Sequence, residues 1–95
     1  MPAYLVAGLD EVTDPAAFEH YREQVLPMID RHGGRYLSAG TAQHPEGDWR
    51  PALVAVIEFP SMERLRAWYD SAEYQPLKEL RMRSSKGSLA FIEGF

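Results

Sequence analysis

The sequence predicts an α+β domain of order βαββαβ, a four-stranded antiparallel sheet with helices packed on one of its sides. Three observations lead there. Two long apolar runs, AYLVAGLDEV at residues 3–12 and ALVAVIEF at 52–59, are strand-like in composition and apolar on both alternating faces. Segments with apolar residues at helical spacing, opened by capping residues, alternate with them. Finally, a chain of 95 residues has room for one such unit and no second one, so residues 1–95 read as a single domain.

The first strand takes residues 3–12. Thr13 or Asp14 then caps a helix, with Pro15 in its first turn, where the missing N–H is harmless, and Phe18, Tyr21, Val25 and Ile29 along its buried stripe. Pro27 removes one backbone bond and is expected to kink this helix. Gly33 and Gly34 end it, and RYLSAGT at 35–41 is the second strand. QHPEGDWRP, residues 43–51, reads as a loop with an exposed Trp49, and ALVAVIEF at 52–59 as the third strand. Ser61 caps a second helix whose buried stripe is Met62, Leu65 and Tyr69. Ser71 caps a further helical piece through Tyr74, Leu77, Leu80 and Arg81, restarted at Pro76. Gly87 breaks it, and SLAFIEGF is the last strand.

This order is that of the split-βαβ, ferredoxin-like arrangement, in which the first and third strands are central, as the two most apolar runs require. Leu5, Ala7 and Leu9 with Leu53, Ala55, Ile57 and Phe59 make one apolar face for the helices. Tyr4, Val6, Gly8 and Asp10 with Val54, Val56 and Glu58 make the other, too apolar toward its start to be left in water. The helices are already used, so the same face of a second copy is its expected cover, giving a two-fold homodimer.

Composition removes several classes of function. At 45% hydrophobic and 25% charged, the chain is that of an ordinary water-soluble protein, and no run approaches the ~18 apolar residues of a membrane span. The amino-terminal MPAYLVAGLDEV lacks a secretory pattern, so a cytoplasmic location is expected. Without cysteine there is no disulfide, thiolate nucleophile or zinc–thiolate site. A net charge of −4 argues against nucleic acid as partner. The basic residues Arg81, Arg83 and Lys86 follow a helix and complement its C-terminal dipole.

Across its length the chain resembles the dimeric α/β-barrel superfamily and, within it, the DUF1330 family of domains of unknown function. The resemblance is carried by YLVAGLDEVTDPAAFEHY, HGGRYLSAG, EGDWRP, EFPS and AWYDSAEYQPLKELR. It differs at Ala72, where similar sequences often have proline. The resemblance implies a ferredoxin-like monomer and a dimer whose two sheets form a barrel, and brings no established reaction.

The candidate chemistry is sparse. His20, His32 and His44 form no HxxxH or HExxH pair, so no metal, haem or flavin is expected. His20 and His44 read as surface groups. His32 follows Val25 and Ile29 around the helix and either caps and packs or serves as an acid–base catalyst. Asp10 and Glu58 alternate onto the barrel face, as an intersubunit ion pair with Arg35 or Arg50 or as a general base. No GxSxG elbow, P-loop or GxGxxG is present. Trp68, Tyr69 and Tyr74 crowd one helical segment, with Trp68 about a quarter turn off the stripe. Tyr21, His32, Tyr36, Trp68 and Tyr69 therefore outline a candidate pocket between helices and sheet. Two classes of function remain, a cofactor-independent enzyme resembling superfamily relatives that oxygenate or isomerise aromatic or lactone substrates, and a non-catalytic ligand-binding or interaction dimer.

Overall fold

In the computed structural model, which describes residues 1–95, the elements run β1 (Ala3–Val12), α1 (Pro15–Arg31), β2 (Arg35–Thr41), β3 (Leu53–Phe59), α2 (Met62–Tyr69), α3 (Gln75–Ser84) and β4 (Ser85–Glu93). One antiparallel sheet has the order β2-β3-β1-β4, placing the two most apolar strands in its middle. β1 and β3 pair with Leu5 opposite Ile57 and Ala7 opposite Ala55, so the inward sets of both strands share one face. That face meets α1 and α2 in a core of Leu5, Ile57, Phe59, Tyr21, Val25, Ile29, Leu65, Trp68 and Tyr74.

Local chemistry sets the boundaries. The Asp14 carboxylate accepts from the Ala17 N–H at 3.2 Å, and Pro15 occupies the first turn. Pro27 lies on the exposed side of α1, which continues unbroken to Arg31. At the far end Gly33 takes φ +82°. Gly34 must be small, because a Cβ there would come within 2.7 Å of the Ile29 side chain and 2.8 Å of Phe59. The Ser61 hydroxyl caps α2, accepting from the Arg64 N–H at 3.1 Å.

Three boundaries differ from the sequence reading. In α2 the buried pair is Leu65 and Trp68, with Tyr69 only part-buried, so Trp68 belongs to the stripe. An eight-residue helix leaves its rotational phase open by one residue, about 100°. Ser71 does cap the turn that follows it, its hydroxyl accepting from the Tyr74 N–H at 3.2 Å and donating to the Trp68 carbonyl at 2.8 Å, but that turn is separate and α3 starts only at Gln75. Gly87 does not end α3. The Ser84 hydroxyl donates to the Leu80 carbonyl and the Ser85 hydroxyl to the Arg81 carbonyl, each at 2.7 Å, which satisfies the last carbonyls without a glycine. Gly87 instead lies within β4 opposite Leu9, where a Cβ would collide with the Gly8 carbonyl oxygen beside a β-bulge.

The opposite face of the sheet carries no helix. Tyr4, Val6, Val54 and Val56 are half-buried there, and Ile92 is 57% exposed. The β2–β3 loop folds over part of this face, because a Cβ on Gly8 would meet the Trp49 ring at 2.8 Å and Pro51 at 2.9 Å. Trp49 itself stays 55% exposed. No helix is long and apolar enough to cross a membrane.

Candidate functional site

The helix-side face of the sheet contains a gap that follows from residue size. Ala7 pairs with Ala55 and Ala55 with Ala39, so three alanines form a row across β1, β3 and β2 on the face toward α1. Methyl groups in such a row do not reach the helix layer, and a cavity of about 300 Å³ is left above them. Of its 17 lining residues 14 are hydrophobic, so water inside finds few partners. Phe18, Tyr21 and Ile29 of α1, Tyr36 of β2 and Trp68 of α2 contribute walls, and Arg22 and Arg81 are its only charged residues.

Of the residues expected to form a pocket, the structure brings Tyr21, Tyr36 and Trp68 together. Tyr69 lines an adjoining recess of about 350 Å³ between α3 and the β1–β4 edge. His32 lies off both linings, its Nδ1 2.9 Å from the Met28 carbonyl oxygen in the last turn of α1. Glu58 pairs with Arg35 of the neighbouring strand at 2.8 Å within one chain. Asp10 is exposed beside the β-bulge, and Glu58 stands opposite Tyr4, so the two carboxylates are six β1 positions apart, roughly 20 Å along the strand. They do not converge. No three His, Asp or Glu side chains come together in a metal-ligating group.

The aromatic groups are tightly coupled. Trp68 lies 5.7 Å from Phe59 and 4.4 Å from Tyr74, centroid to centroid, and is 1% exposed. Its Nε1–H is buried without an acceptor. The Tyr21 and Tyr74 hydroxyls are 2.9 Å apart. Desolvation raises the pKa of both above the ordinary tyrosine value, most at Tyr21; the Tyr21 hydrogen bond and then Arg81 oppose it at Tyr74, and Arg81 opposes it at Tyr21. Tyr36, 42% exposed at the rim, is raised by desolvation as well, with Arg22 opposing. The tyrosines thus stay neutral hydrogen-bonding groups at ordinary pH. Arg81 and the alanine row escaped the sequence reading. The row could have been seen once the register of three strands was fixed, whereas Arg81 looked like a helix-end charge.

Comparison with known proteins adds the following. A protein of unknown function from Rhodopseudomonas palustris superposes with TM-score 0.79 at 16% identity, covering 99% of this chain and 82% of its own. SnoaB, a cofactor-independent oxygenase from Streptomyces nogalater, superposes with TM-score 0.71 at 13% identity, over 99% of this chain and 93% of that one. A dimeric ferredoxin-like protein of unknown function from Thermobifida fusca gives 0.65 at 13% identity, over 99% and 92%. At these identities the likeness establishes the ferredoxin-like fold. No curated protein matches the chain. The matched family spans residues 2–95, nearly the whole sequence with its bulged β1–β4 edge and its aromatic α2, and the chain therefore belongs to DUF1330, a domain of unknown function.

Proposed function

We propose that this protein binds a small molecule with a flat, apolar body in the cavity above the alanine row. The observation that carries this reading is an apolar space of about 300 Å³ walled by Tyr21, Tyr36 and Trp68, framed by a rigid sheet and a capped helix. Side chains that could turn over a proton near neutral pH do not line it, and His32 in this reading packs against the end of α1. Binding is tested with 2-naphthamide, a flat uncharged probe, in a Trp49→Phe background that leaves Trp68 as the sole indole. A saturable one-site change in Trp68 emission is expected; no saturable change would sink the cavity reading.

A second reading is cofactor-independent oxygenation, supported by the fold shared with SnoaB. It requires dioxygen uptake with an electron-rich phenol bound, and a protein that binds without oxygen uptake is a binding module.

Two copies are proposed to pair through the open faces of their sheets, closing a barrel over Val6, Val54 and Val56. Support comes from the apolar character of that face and from ferredoxin-like neighbours described as dimeric. Val56 stands between Val6 and Ser38, at the centre of the face. Val56→Glu would set two symmetry-related charges in an apolar seam, and the dimer should weaken by at least about tenfold. Light scattering coupled to gel filtration checks it, and an undiminished dimer would place the contact elsewhere.

A further inference from the structure

Arg81 carries a positive charge that no carboxylate of the protein meets. It is part-buried near the end of α3 and lines both the alanine-floored cavity and the adjoining recess. Its guanidinium makes no ion pair, side-chain hydrogen bond or aromatic stack, whereas Arg22, Arg31, Arg35 and Arg66 each face a carboxylate. Capping of α3 does not require it, because the Ser84 and Ser85 hydroxyls already serve the last carbonyls. Around it the balance of charge is one-sided. Arg22, Lys78 and Arg81 line the two spaces and no carboxylate does, in a chain of net charge −4. A guanidinium at the lining of an apolar space, with no carboxylate partner, is free to meet an anion there.

We infer that the occupant of the cavity is a flat aromatic acid, its ring over the alanine row and its anionic group on the Arg81 guanidinium. Arg22 and Tyr21 line the same cavity, the Tyr21 hydroxyl 2.9 Å from that of Tyr74, and the positive charge of Arg81 is felt at both hydroxyls. This rests on the cavity reading above and names the class of ligand that the cavity selects. Arginine suits the task because its planar fork meets a carboxylate through two hydrogen bonds at once.

The test is a matched pair of probes, 2-naphthoate and 2-naphthamide, titrated calorimetrically into the wild-type protein, Arg81→Gln and Arg81→Lys. The carboxylate should bind about tenfold or more tightly than the amide to the wild type. Arg81→Gln should abolish that preference by weakening the carboxylate far more than the amide, and amide binding that stays measurable certifies that the cavity is intact; Arg81→Lys should restore part of the preference. Equal affinity of the two probes for the wild type would overturn the anion assignment while leaving the cavity reading in place. A preference that survives Arg81→Gln would also overturn it, by assigning the anion to another cation. Failure of both probes to bind would remove the cavity reading and this inference with it.

Discussion

Replacing Trp68 by alanine is expected to remove about 3–5 kcal/mol of stability, most of what a domain of this size has to lose. The indole is 1% exposed and lies against Phe59, Tyr74 and Tyr69, with centroids 5.7, 4.4 and 5.9 Å away, so one truncation strips contacts from three large rings. It also joins new empty space to a cavity already present, and the surroundings cannot collapse fully because β3 and α2 are held by their own bonds. Trp68→Phe should cost less, about 1–3 kcal/mol. The phenyl fills part of the hole, and the substitution deletes an Nε1–H that is buried without a partner. Urea denaturation of the three proteins measures both steps. A loss below about 1 kcal/mol for Trp68→Ala would mean that the ring borders open space on most of its surface.

Stability should also fall steeply in alkali. Tyr21 and Tyr74 are buried, 8% and 0% exposed, and desolvation raises the pKa of both hydroxyls above that of a free phenol, most strongly at Tyr21. The unfolded chain releases those protons near pH 10, so the folded state is the one that binds more protons above that pH. The contribution is complete below pH ~10 and is lost as pH rises, by about 1.4 kcal/mol per unit for each hydroxyl still protonated in the fold. Denaturant midpoints from pH 7 to 11 should thus hold level and then drop. Tyr21→Phe should reduce the alkaline slope, while costing on the order of 1–3 kcal/mol at neutral pH by leaving the Tyr74 hydroxyl unpaired. A level midpoint through pH 11 would mean that both phenols ionise in place.

Much of the fold was legible because strong local signals agreed with one another. The doubly apolar runs of β1 and β3 could only be central strands, and Asp14, Ser61, Gly33 and Pro15 bracketed their helices by chemistry that acts within four residues. Misplaced boundaries lay where two solutions satisfy the same groups. Either a glycine or a pair of serine hydroxyls can finish α3, and the sequence contains both within four positions, Ser84, Ser85 and Gly87. The phase of α2 was undetermined because so short a helix offers three large residues, Leu65, Trp68 and Tyr69, to one sheet. The site was harder to read than the fold. Its walls were visible as tyrosines and tryptophan, whereas its floor and its charge depend on what neighbouring strands and helices fail to supply: bulk opposite α1, and a carboxylate beside Arg81.

The row Ala7–Ala55–Ala39 has an evolutionary meaning as well. None of the three caps a helix, closes a turn or occupies a glycine-only conformation, and all three lie on paired strands that the rest of the sequence specifies independently. Enlarging Ala39 or Ala55, which are not packed against the buried core, would reshape the space chiefly by adding atoms to its floor. Ligand preference in a chain of this kind can therefore drift through single, nearly neutral substitutions on a fixed frame.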